Sequence, residues 1–144
     1  MRQKELRIAL ICYGGVSLAV YMHGVTKELW KLTRASRALH GGADCAAGSE
    51  AVYFELLQHL RDKEDLVLRV LPDILTGASA GGINAVFLAQ AIHSGQSLEP
   101  LTELWLAHAD VDKLLDPEAH LWTRVAKFWA PPVVEFLLSR PGSG

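Results

Sequence analysis

The chain has 144 residues, half of them hydrophobic, and a formal net charge of −2. That length and composition fit about one folded domain with a buried core and exclude a disordered polypeptide. Fourteen Lys and Arg against 16 Asp and Glu, with no basic block, argue against nucleic acid as a partner.

The first element is "LRIALIC", Leu6 to Cys12, a short apolar run rich in branched residues and ended by glycine. That pattern predicts a strand buried on both faces. With Arg2, Lys4 and Arg7 before it, the same run resembles a secretory leader, but Gly14 and Gly15 break it and no small-residue cleavage site follows. No run reaches the roughly 18 residues a membrane span needs. From Ser17, a candidate N-cap, Leu18, Tyr21, Met22, Val25, Leu29 and Leu32 recur at helical spacing. The chain therefore reads as strand, glycine turn and helix in direct succession.

Residues 35–48, "ASRALHGGADCAAG", are small and aperiodic and read as a loop or insertion. Ser49 then opens a second helix with Val52, Tyr53, Leu56, Leu57 and Leu60 as its apolar stripe, closed by the charged "RDKED". Pro72 cannot donate to a ladder, so a short strand of about Asp73 to Thr76 is expected before the next turn. "INAVFLAQAIH" is apolar almost all round and predicts a helix buried on several sides, with Gly95 as its C-terminal cap. Beyond Pro100 the chain reads as helical. Leu101, Leu104, Trp105 and His108 share one face, and a further helix runs roughly from Glu118 to Phe128 before Pro131 and Pro132. Trp105, Trp122, Phe128, Trp129 and Phe136 could face a membrane, although aromatics at helical spacing are more often core.

Cys12 and Cys45 form no C-x-x-C or Cys/His cluster and read as reduced structural thiols. The six histidines are scattered, without a metal-binding spacing, so neither a metal nor another cofactor is expected.

The chemistry concentrates at Gly77-Ala78-Ser79-Ala80-Gly81, a G-x-S-x-G between a strand and a helix. A nucleophile on so sharp a turn needs small residues two before and two after it, which Gly77 and Gly81 supply. The helix that follows aims its free N–H groups and positive dipole end at the site, with the Ala80 N–H as first oxyanion donor. A serine before a helix is also a common cap, so the motif alone leaves both roles open. The turn at Gly14-Gly15-Val16 favours the nucleophile, because a glycine turn on a neighbouring parallel strand can bring further N–H donors beside it. A phosphate cradle at this turn would call for G-x-G-x-x-G or a P-loop Lys, and the sequence has neither.

Taken together, "GGVSLAVYMHGVTKELWKL" and "PDILTGASAGGINAVFLA" resemble the N-terminal part of a patatin-like phospholipase, nearest its bacterial patatin-related branch. The resemblance is strong over roughly residues 5–35 and 70–95. It implies a three-layer α/β core with parallel strands and a nucleophile elbow, lipid acyl hydrolysis by a Ser-Asp dyad, and no metal. By position, Ser79 becomes the nucleophile and Gly14, Gly15 and Val16 the oxyanion loop. Expected partners are phospholipid or another acyl ester, a membrane touched peripherally from the cytoplasm, and the remainder of the same polypeptide.

Two departures stand out. Ser17 replaces the family's Arg or Lys in the oxyanion loop, and none of Asp44, Asp62, Asp65, Asp73, Asp110, Asp112 and Asp116 is followed by the glycine of the family's Asp-Gly motif. Asp73 stands where the family often has a structural aspartate. The chain is thus expected to be the N-terminal portion of one domain, inactive alone, because the serine lacks its proton acceptor. Two rival readings remain. One is an α/β-hydrolase whose His40-Gly41-Gly42 serves as oxyanion motif with a histidine completing a triad; the other is a non-catalytic module for protein or membrane contact.

Overall fold

The computed structural model describes residues 1–15, 18–43 and 47–108. Val16, Ser17, Asp44, Cys45 and the helix expected from Glu118 to Phe128 lie outside them, as does the rest of the tail. The order is β1 (Arg2–Cys12), α1 (Ala19–Gly41), α2 (Gly48–Glu64), β2 (Leu66–Gly77), α3 (Ala80–Ser94) and α4 (Glu99–His108). β1 and β2 pair in parallel. The α/β class and the two strand–turn–helix units are therefore present.

Both strands exceed their apolar runs. β1 begins at Arg2, whose N–H donates to the Asp65 carbonyl at 2.9 Å, and β2 runs through Pro72 as a strand of 12 residues. The short strand expected on account of Pro72 is corrected by the pairing: Ile8 faces Pro72 and Ala9 faces Ile74, so Asp73 is an extra, bulged residue. A bulge interrupts the ladder where proline could not have donated. Asp73 meanwhile accepts from Arg7 Nη1 at 3.1 Å on the exposed face.

The sheet has unequal faces. Ile8, Leu10 and Cys12 turn toward the helices, whereas Arg7, Ala9 and Ile11 are exposed, as are Arg69, Ile74 and Thr76 of β2. β1 is therefore covered on one face among the described residues, not on both as its apolar run implied. One core joins Cys12 to Met22 and Trp30 of α1, Phe87, Leu88 and Ala91 of α3, and Leu101 and Trp105 of α4. A smaller one joins Val70 of β2 to Ala35 of α1 and Leu57 of α2.

α1 differs most from its sequence pattern. It continues to Gly41 and α2 begins at Gly48, so residues 35–41 and 48 of the segment expected as a 35–48 loop are helical. Ala35 and Ser36, which looked too small for an apolar stripe, are fully buried, and the Ser36 hydroxyl accepts from the Val70 N–H of β2 at 2.9 Å. The buried face is Ala19, Met22, His23, Thr26, Trp30, Thr33, Ala35 and Ser36, while Leu18, Tyr21 and Val25 of the expected stripe are exposed. Thr26 and Thr33 fit this face because their hydroxyls donate to the His23 and Leu29 carbonyls of their own helix. On α2, Leu57 is buried but Val52 and Leu56 are exposed. Glu28 of α1 ties the two helices, accepting from Lys31, Ser49 and Tyr53; burial opposes its charge, yet these bonds win and hold its carboxyl below the usual range.

α3 follows expectation closely. Ala85, Phe87, Leu88 and Ala91 are buried, and Gly95 closes the helix at φ +75° with its N–H on the Ala91 carbonyl. Among the described residues, no helix is long and apolar enough to cross a membrane.

Candidate active site

Ser79 stands where β2 gives way to α3, with φ 52° and ψ −128°. Those angles are costly for a residue with a side chain and persist only where the surroundings enforce them. Its hydroxyl makes no capping bond to α3, and the residue is exposed. A cap would have spent the hydroxyl on the helix's first N–H groups. The geometry instead leaves it outward at a strained turn, the conformation of a nucleophile elbow.

The turn is enforced by close backbone packing. A Cβ on Gly77 would lie 2.5 Å from the Gly81 carbonyl carbon, and one on Gly81 would run into the Cys12 backbone. Neither position admits alanine without movement of the chain. The Ala78 N–H donates to the Cys12 carbonyl at 3.1 Å, pinning the elbow to the end of β1. Gly81 N–H donates back to Ala78 at 2.9 Å and Ile83 N–H to Ser79 at 3.1 Å, so the first turn of α3 is closed directly behind the serine.

The first glycine turn meets the elbow. A Cβ on Gly14 would lie 3.0 Å from the Ala78 carbonyl oxygen and 3.2 Å from Ser79 Cβ. Gly15 has φ +138°, a region that L side chains rarely adopt, and its carbonyl accepts from the Leu18 N–H at 3.2 Å as α1 starts. Gly14, Gly15, Gly77, Ala78, Ser79, Ala80 and Gly81 thus gather at one end of the sheet. Val16 lies outside the described residues. α1 begins at Ala19 with Leu18 in the cap position and no side-chain capping bond.

The rival oxyanion motif is taken up by helix. His40 and Gly41 are the last residues of α1, His40 Nδ1 pairs with the Ser36 carbonyl at 2.8 Å, and the Gly42 and Ala43 N–H groups both donate to Ala38. Donors engaged in closing a helix cannot hold an oxyanion, so the triad reading built on His40-Gly41-Gly42 is set aside. The described aspartates are also engaged: Asp62 with Arg61, Asp65 with the N-terminal ammonium and Asp73 with Arg7. Asp44, Asp110, Asp112 and Asp116 lie outside the described residues. Cys12, behind the elbow, is buried and free, and burial pushes its thiol pKa up, which suits a structural role. No three metal-ligating side chains gather among the described residues.

Apolar periodicity missed a buried polar cluster behind the site. Asn84, on the second turn of α3, is wholly buried and bonded on three sides, and Trp105 Nε1 donates to its Oδ1 at 3.1 Å. His23 is buried beside it, its Nε2 2.8 Å from Thr102 Oγ1 of α4, and Lys27 reaches Glu99 at 2.7 Å just outside. Burial and the Lys27 charge lower the His23 pKa against weaker upward pulls from Asn84 and Glu99. The one available signal was an asparagine inside an otherwise apolar helix. A groove of about 300 Å³ opens beside the elbow between Leu75, Thr76 and Gly77 of β2 and Gly82, Ala85, Val86 and Ala89 of α3.

No solved structure matches the chain significantly. An uncharacterized membrane protein of Mycobacterium tuberculosis is 41% identical over 120 residues, covering 79% of this chain and 11% of that protein. The chain thus spans about a ninth of that relative's length. The family model for patatin-like phospholipases matches residues 10–139, from the end of β1 through both turns and beyond α4. With an elbow serine at strained angles and a glycine turn packed against it, this chain belongs to the patatin-like phospholipase family.

Proposed function

We propose that the chain carries the nucleophile half of a serine-dependent lipid acyl hydrolase of phospholipase A or esterase type. Ser79 Oγ attacks the ester carbonyl carbon while its proton passes to an aspartate outside the described residues. The electron pair displaced onto the carbonyl oxygen is held by N–H groups of Ala80 and of the Gly14-Gly15-Val16 turn. Collapse of that intermediate expels the alcohol, which takes the proton. Water then cleaves the acyl-enzyme by the same route. The observation that supports the reading is the closeness of Gly14 to Ala78 and Ser79, which among the described residues sets the glycine turn beside the strained serine. The apolar groove beside Gly77 and Gly82 is consistent with a fatty acyl substrate.

The test is a fluorophosphonate probe applied to the full-length polypeptide that contains these residues. Labelling at Ser79, with labelling and ester turnover lost by several orders of magnitude in Ser79→Ala, is the expected result. An unlabelled wild type would favour a non-catalytic module acting in protein or membrane contact.

A further inference from the structure

Asn84 is 0% exposed in a helix whose other buried residues are Ala80, Gly81, Ala85, Phe87, Leu88 and Ala91. A buried amide costs stability unless every polar atom finds a partner, so its place here calls for a reason. Its Nδ2 donates to the Ala19 carbonyl at 3.2 Å and to the Ala80 carbonyl at 3.2 Å. Ala19 is the first residue of α1, reached from the glycine turn through the Leu18–Gly15 bond, and Ala80 directly follows Ser79. The two hydrogens of one planar amide therefore span the first turns of the two helices that leave the site. The indole of Trp105, donating to Oδ1 at 3.1 Å, fixes which end of the amide faces those carbonyls.

We infer that Asn84 is a positioning residue that holds the Gly14–Gly15 turn at its working distance from Ser79, with Trp105 fixing the orientation of its amide. The inference rests on the reading of Ser79 as nucleophile. Both bridged carbonyls sit in helices, where backbone N–H groups four residues on can also satisfy them. Removing the amide consequently strands no acceptor in the backbone. What is lost is the link between two turns that no covalent bond joins directly, and small displacements of donors from a developing oxyanion cost rate more than binding.

The experiment uses the full-length polypeptide, a p-nitrophenyl ester as substrate, and three variants alongside Ser79→Ala. The double variant Asn84→Leu/Trp105→Phe removes the amide together with its indole donor. It should melt close to wild type, with kcat at least about tenfold lower and KM within about twofold. Asn84→Asp sets a carboxylate against two carbonyl oxygens and beside His23, with Lys27 and Glu99 just outside, and protonation restores one donor; its kcat relative to wild type should rise as pH falls. Trp105→Phe alone should show a smaller kcat loss. If Ser79→Ala abolishes turnover while the double variant keeps wild-type kcat, or the Asn84→Asp ratio is flat with pH, the positioning role is overturned. If Ser79→Ala keeps its turnover, the nucleophile reading has failed and the catalytic role of Asn84 falls with it. Hydrogen exchange then judges the tie itself: the double variant should exchange faster at Gly14 and Gly15 as well as at Ala80 and Gly81, and unchanged exchange at the glycine turn means that no tie exists.

Discussion

The two strand–turn–helix units, β1 into α1 and β2 into α3, share an architecture and use their residues in opposite ways. In the first turn a glycine supplies conformation, because Gly15 has φ +138° while the nearest atom to a Cβ there is in the Leu18 side chain at 3.6 Å. In the second the glycines supply closeness: Gly77 and Gly81 have no room for a methyl group, and the unusual φ falls on Ser79 itself. The helices diverge likewise. α1 buries His23, Thr26, Thr33 and Ser36, whereas α3 buries Asn84 as its single non-glycine polar residue. The first turn needs a backbone free to adopt an odd angle, and the second needs neighbours that force one on a residue with a side chain.

That contrast can be broken most severely at Gly81. Gly81→Ala drives a methyl group into the Cys12 backbone and should lower unfolding free energy by about 3 kcal/mol in urea titrations. A change much below that would mean that β1 gives way easily and the elbow is not held by packing. The glycine turn should respond in two separable ways. Gly15→Ala, penalised by its angle, should cost about 1–3 kcal/mol. Gly14→Ala places its methyl 3.2 Å from Ser79 Cβ and should lower kcat by about tenfold or more, with a smaller stability loss. Equal effects of the two on both readouts would erase the distinction between conformation and closeness.

The smallest effect concerns the polar face of α1. His23 has its pKa lowered by burial and then by Lys27, with the Asn84 hydrogen bond and Glu99 of α4 pulling more weakly the other way, so the folded protein favours the neutral ring. The unfolded chain takes up its proton first as pH falls through the ordinary value of 6.5, and the His23 contribution to stability is complete above that value and declines below it. Urea midpoints measured between about pH 8 and about pH 5.5 should fall in wild type and fall less in His23→Gln. Parallel slopes would show that His23 does not titrate with unfolding.

Sequence patterning read these regions unequally for the same physical reason. α3 announces itself through a run that is apolar almost all round after G-x-S-x-G, and its Gly95 cap lies where the pattern ends. α1 hides its buried face, because His23, Thr26, Thr33 and Ser36 count as polar in any periodicity, although the two threonines bond within their own helix and Ser36 bonds to β2. Small residues hid its length too, since Ala35 gains burial by closeness rather than size. Gly14 and Ser79 were legible as two motifs, but their contact depends on parallel pairing and register, which no local pattern carries. Asn84 is a lone polar residue in the first half of an apolar run, which carries no sign of what it bonds. Its partners, a carbonyl of α1 and an indole of α4, lie far away in sequence.

The bulge at Asp73 has a consequence for what reaches the elbow. In strict alternation Pro72 facing the helices would send Asp73 outward and Ile74 inward, leaving Leu75 in solvent. With two consecutive residues, Asp73 and Ile74, both outward, the alternation resumes one step late and Leu75 joins the core beneath α3. Asp73 thus acts as a phase corrector. It is a one-residue delay, anchored by Arg7, that lets a strand containing proline arrive at Ser79 with the correct side turned in.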